Sequence, residues 1–231
     1  LGLAGGLFWL RREIFGAAWR ALPTGALKQM APMLKLLAVN RDIFIRSLAL
    51  LTVFFFFTAQ GARLGDTVLA ANAVLITFLL LLSNTLDGFA NAAEALVGDA
   101  TGRRDHRGLN AAVKATGKWT LIIAGVALLA FAAGGGPLIR LLTDLPGVRD
   151  TASTYLPWML LLPLTAGAGF WLEGVFVGAT LAREMRNTMI LATALFFPVW
   201  WLTSGWDNHG LWLAMNLWMA SRGVLMGWVW Y

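Results

Sequence analysis

The sequence has 231 residues, 58% of them apolar and only 13% charged, with a formal net charge of +6. Soluble domains carry nearer a quarter charged residues, so this balance excludes an ordinary soluble domain and marks an integral membrane protein. There is no Cys, which excludes disulfides and thiolate metal sites, and the positive charge calls for no nucleic acid, because basic residues gather in the cytoplasmic loops of membrane proteins.

Residues 1–10, "LGLAGGLFWL", are too short to span a bilayer before the charges "RRE" arrive. A signal peptide places its charges before its apolar run, not after it. The stretch reads as the end of a preceding transmembrane helix, and the chain as a fragment or half of something larger. Residues 11–41 mix Arg, Lys, Pro and apolar residues with no spanning run, which predicts an interfacial, amphipathic connector at headgroup level. "NRD" then offers Asn40 or Asp42 as a helix N-cap.

Six spanning helices are predicted over 42–62, 67–101, 114–133, 151–181, 187–204 and 210–230. The second and fourth are long enough to tilt or protrude. The run "AAGGGP" after the third reads as a helix end. The fold class is therefore all-α: a six-helix transmembrane bundle over 42–231, preceded by the connector. Fourteen of the 18 basic residues fall in 1–46, 103–118 and 183–186, whereas the alternate loops are short or balanced. That asymmetry places both the connector and the C-terminus in the cytoplasm.

The main chemical signal is a polar stripe on the second span. Asn84, Asp87, Asn91 and Glu94 fall at i, i+3, i+7 and i+10, within a helical arc of roughly 80°. A central Asp costs about 2.5–3.5 kcal/mol to insert, so helix stability does not account for it. One reading is a cation- or proton-exchanging site lining a cavity inside the bundle. The other is a polar seam joining two helices, its acids protonated and hydrogen-bonded. Glu173 is a third intramembrane acid, preceded by Pro157 and Pro163 and surrounded by Gly167, Gly169, Gly174 and Gly178. The prolines free carbonyls that can coordinate cations, while the glycines equally suit close packing alone. Gln60 and Asn72, beside the turn "GARLGD", are weaker cavity candidates that serve as well to satisfy backbone there. Arg222 is another, with snorkelling along its stem as the preferred alternative, and Asn216 stays open.

His106 and His209 fall in loops on opposite faces and cannot share a metal. No nucleophile elbow, zinc-protease or P-loop motif is present. No catalytic residues and no metal site are expected, and the chain does not read as an enzyme.

Three stretches, "NRDIFIRSLALLTVFFFFTAQGARLGDTVLAANAVL", "LDGFANAAEALVGDATGRRD" and "EGVFVGATLAREMRN", resemble the C-terminal half of the multidrug and toxic compound extrusion (MATE) family, in its DinF-like bacterial branch. The resemblance covers residues 40–231 and implies one six-helix lobe of a twelve-helix transporter of the bacterial cytoplasmic (inner) membrane. It implies export of organic, often cationic, compounds in exchange for H⁺ or Na⁺ by alternating access, with no cofactor beyond the coupling ion. Its implied partners are membrane lipids, small organic substrates and a missing N-terminal six-helix lobe, without which the chain is not expected to transport. Glu173 falls near where many members keep an acid in the tenth helix, often paired with one in the seventh. Here the corresponding stretch, "IFIRSLALLTVFFFFTAQGA", holds no acid, which leaves that site one carboxylate short. In DinF-like members the coupling Asp usually stands in the first helix, which lies outside this sequence. The stripe on "NTLDGFANAAE" is expected to face the bundle interior and the inter-lobe cavity.

Two other readings compete. A lipid-carrier flippase of the same superfamily would need several cationic side chains in its cavity, where only Arg46 and Arg222 qualify. A non-transporting membrane scaffold would have its polar stripe fully paired.

Overall fold

Long apolar runs broken by brief polar turns leave the backbone one way to satisfy itself in lipid, which is to stay helical. The computed structural model describes residues 30–231 and builds them as six α-helices. These are α1 (Met30–Arg63), α2 (Asp66–Gly102), α3 (His106–Leu142), α4 (Pro146–Gly178), α5 (Ala182–Thr203) and α6 (Asp207–Trp230), with a 3₁₀ turn, Ser204–Trp206, before the last. The expected helix tail at 1–10 and connector residues 11–29 lie outside the described residues. The chain divides into two units, Leu1–Arg41 and Asp42–Tyr231. Of the first, only the opening turns of α1 are described; the second is the bundle.

Five segments are long and apolar enough to cross a membrane, the last being Ala182–Trp230. That segment doubles back at the 3₁₀ turn. Thr203 Oγ1 donates to the carbonyl of Gly210 across the bend, and a Cβ on Gly210 would fall 2.0 Å from the Thr203 carbonyl oxygen. The chain is an all-α membrane protein. At 37 residues each, α2 and α3 are about 55 Å long, well beyond a hydrocarbon core of roughly 30 Å.

Helix ends differ from the sequence expectation in two places. Neither Asn40 nor Asp42 caps a helix, because α1 runs straight through both. Asp42 spends its carboxylate on Arg186 of α5 instead, at 2.5 Å. The "AAGGGP" run does not end α3, which continues through Pro137 to Leu142. Packing holds those last turns on α4: Ile139 is buried, and a Cβ on Gly135 would sit 2.9 Å from Leu156.

Two kinds of contact join the bundle. Aromatic side chains fasten α1: Phe54 meets Trp218 edge-on at 6.0 Å, Phe56 meets Trp200 at 4.7 Å, and Phe57 meets Trp212 at 5.0 Å. Each such pair adds about 0.5–1.5 kcal/mol beyond its area. Of the "VFFFF" run only Phe55 points outward. Between α2 and α4 the contact is backbone on backbone. A Cβ on Gly174 would fall 2.0 Å from the Ala90 carbonyl oxygen, and one on Gly178 would fall 2.5 Å from that of Glu94. Small residues permit this approach, on which helix association in lipid depends. The same device brings α6 onto α4, where a Cβ on Gly223 would lie 2.9 Å from Ala168 Cβ.

Candidate functional site

The α4–α6 contact at Gly169 and Gly223 delivers the neighbouring Arg222 to α4 one turn from Glu173. There Arg222 donates to Glu173 Oε1, while Arg46 of α1 pairs with Oε2. The arrangement is buried: side-chain exposure is 3% for Arg222, 15% for Glu173 and 16% for Arg46. Arg222 therefore does not snorkel. Its guanidinium lies 5.2 Å from the Trp218 ring and 5.6 Å from that of Phe170, and Nη1 donates to Met219 Sδ at 3.2 Å. Aromatic faces and a carboxylate replace the water that snorkelling would have sought. The Nε–H groups of Arg46 and Arg222 are buried and have no hydrogen-bond partner among the described residues.

Two arginines on one glutamate leave an excess positive charge. Asp87 of α2 lies within electrostatic reach of Glu173 and Arg46. Its Oδ2 accepts from Ser83 at 3.4 Å, on its own helix. Four helices thus contribute one ionisable group each.

The polar stripe does not face the interior of this bundle, as the sequence reading expected. Asn84, Asp87, Asn91 and Glu94 are all exposed, while Leu82, Leu86, Ala93 and Val97 are buried on the opposite face of α2. The close approach to α4 dictates this, since only small and apolar residues fit where Gly174 and Gly178 touch α2. Asn84 Nδ2 donates to the Leu80 carbonyl at 2.9 Å. Glu94 makes no ion pair among the described residues. The stripe is open, and so not the fully paired seam that a scaffold would show.

The weaker candidates separate. Gln60 is half-buried beside Arg63, Trp200 and Asp207 at the opposite end of the bundle from Glu173. Asn72 is not occupied with the turn backbone. It exchanges two amide hydrogen bonds with Asn208, at 2.8 and 2.9 Å, and also accepts from Trp212 Nε1 at 2.9 Å. Replacing Asn72 by Ala strands two buried donors and an acceptor, so a loss of about 1–3 kcal/mol is expected, read as a lowered unfolding midpoint in detergent micelles. Asn216, left open by the sequence, donates to the Trp158 carbonyl at 3.1 Å beside the Pro157 and Pro163 interruptions of α4 and accepts from Thr165 at 3.2 Å. His209 accepts from Trp158 Nε1 at 2.9 Å. It belongs to α6, and His106 opens α3, rather than either lying in a loop.

Sequence reasoning did not pair Arg46 with Glu173, Asp42 with Arg186, or Asn208 with Asn72 and Trp212. The usable signal was charge at depth: a Glu inside a span needs a countercharge, and "IFIRSL" and "ASRGVL" hold the basic residues that sit inside apolar runs. Chemically, Glu173 is not open to a metal cation while two guanidinium groups occupy it. Asp87 is the carboxylate of the set that reaches the surface.

The MatE family model matches residues 43–202. The chain is 43% identical to DNA damage-inducible protein F of Escherichia coli (strain K12) over 201 residues, covering 85% of this chain and 43% of that protein. It is 24% identical to Protein DETOXIFICATION 42 of Arabidopsis thaliana over 169 residues, covering 73% of this chain and 33% of that protein. The chain spans less than half the length of these relatives.

Proposed function

Because the chain belongs to the MatE family, whose members are transporters and not enzymes, we propose that it forms the C-terminal six-helix lobe of a secondary active multidrug exporter. The lobe exchanges organic, often cationic, compounds for H⁺ or Na⁺ by alternating access against an N-terminal six-helix lobe. One observation carries this reading: the exposed stripe Asn84–Asp87–Asn91–Glu94 on α2 runs beside the Arg46–Glu173–Arg222 cluster. A polar surface at membrane depth suits a water-filled cavity between two lobes and not lipid. Asp87 is the residue placed to exchange a proton with that cavity. Glu173 holds the arginines in position.

The flippase reading gains nothing from the geometry, since both candidate cations are engaged by Glu173. The test is Asp87→Asn in a transporter that supplies the other lobe. Asn is nearly isosteric and removes only the titration. pH-driven efflux of an organic cation from proteoliposomes is expected to fall at least tenfold, at unchanged membrane insertion and helix content. Normal export over the whole pH range would remove Asp87 from the mechanism.

The reading also sets the topology, with the bacterial inner membrane crossed so that the basic loops and the C-terminus are cytoplasmic. Asn208, in the first turn of α6, is fully buried. Cysteines at Asp144 and Ser204, both exposed, are therefore the informative ones. They should label from outside and one at Arg104 should not; the reverse pattern overturns the orientation.

A further inference from the structure

Where α3 and α4 recede from each other they leave a groove of about 310 Å³. Its floor is small: Thr120, Ala124 and Gly167, with a Cβ on Gly167 only 3.5 Å from Ala124 Cβ. Its wall is the indole of Trp171. Nε1 of that ring donates to Thr116 Oγ1 at 3.0 Å, and the ring crosses Gly117 so closely that a Cβ there would lie 2.7 Å from it. The groove is thus held open by a fixed ring and not by a mobile one. Leu121 and Leu164 form the rim, and both are exposed.

The groove opens onto an apolar exterior. Ile122, Val126 and Leu129 continue the outer face of α3 below it, and all are exposed. Lipid is the solvent for such a face. At one end stand Lys114 and Lys118, one helical turn apart, with Trp119 exposed beside them as at a headgroup boundary. Among the described residues no Asp or Glu side chain lines the groove, whose lining also includes Tyr231. On the same side, Asp99 is engaged by Arg103, and Asp105 caps α3 by accepting from the backbone N–H groups of Arg107 and Gly108. Neither lysine makes an ion pair among the described residues, which leaves both available to an outside anion.

We propose that this groove seats one acyl chain of an anionic phospholipid whose headgroup phosphate rests on Lys114 and Lys118. The apolar crevice supplies affinity for the chain, and the lysine pair supplies preference for a negative headgroup, as basic pockets between spanning helices do. The inference stands apart from the transport reading, because the groove involves neither Asp87 nor Glu173.

Native mass spectrometry of the chain in detergent micelles tests it, with equimolar phosphatidylglycerol and phosphatidylcholine added. Each lysine near a headgroup contributes several-fold, so phosphatidylglycerol should be retained at least about tenfold over phosphatidylcholine. Lys114→Gln with Lys118→Gln should bring that ratio near one, whereas Arg103→Gln with Arg107→Gln should leave it unchanged. Leu164→Trp, which crowds the rim, should lower retention of both lipids. An unchanged ratio in the double Lys variant overturns the proposal. So does displacement of the bound lipid by glycerol phosphate alone, which would make the site one for a soluble anion. Should the double variant lose helicity by circular dichroism, the ratio is read on Lys118→Gln alone, where failure to fall overturns the proposal equally.

Discussion

Replacing Glu173 by Gln is expected to destabilise the protein by about 3–5 kcal/mol, the usual consequence of removing one partner from a buried ionic group. Arg222 is 3% exposed and loses its carboxylate while still enclosed by Trp218 and Phe170, and Arg46 loses its own partner at the same time. Arg222→Lys should also weaken the site, since a point-charge ammonium does not reproduce a planar guanidinium between two rings. The triple replacement Arg46→Met, Glu173→Met and Arg222→Met should recover most of the lost stability, because a wholly apolar substitute carries no desolvation penalty. Reversible unfolding in detergent micelles measures all three. A drop below about 1 kcal/mol for Glu173→Gln would mean that water reaches both arginines.

Gly174→Ala should be nearly as damaging for a different reason. The added Cβ would meet the Ala90 carbonyl oxygen at 2.0 Å, and backbone cannot swing aside as a side chain can. Either α2 and α4 separate or the helices distort, with an expected loss of at least about 1–3 kcal/mol. Gly88→Ala supplies the opposite sign. Nothing lies within 4 Å of the new methyl group, so the variant should gain about 0.5–1 kcal/mol from helix propensity. Unfolding midpoints of the two variants measured side by side give the check. Equal shifts in both would show that backbone proximity at Gly174 does not govern the contact.

Legibility of the fold and the site in the sequence was limited by how much periodicity can carry. The spans were readable because length and hydropathy are local properties, and lipid tolerates little else. Helix ends outside the bilayer were not. α1 continues back through Asn40 and α3 on through Pro137 because tertiary partners, Arg186 and α4 respectively, settle those turns. For the stripe, spacing gave one helical face but not its direction. In a membrane protein both the core and the surrounding solvent are apolar, so the polar face has no default side. Asp87 and Glu173 stood out by their cost. Their arginines did not, since which spans touch depends on the packing of Gly169 against Gly223 and no local pattern encodes it.

The Arg46–Glu173–Arg222 cluster also has an order of assembly in time. Arg46 leaves the ribosome roughly 130 residues before Glu173. At about 5–20 residues per second it waits on the order of ten seconds for its countercharge. Glu173 then waits through roughly 50 further residues for Arg222, in α6. During both intervals a charge is held at the membrane without its final partner, near enough to a helix end to reach headgroups along its stem. The cluster closes only when α6 has been inserted and packed. A chain cut short before α6 keeps Arg46 and Glu173 but lacks the second guanidinium, so the cluster reports whether α6 has been made and packed.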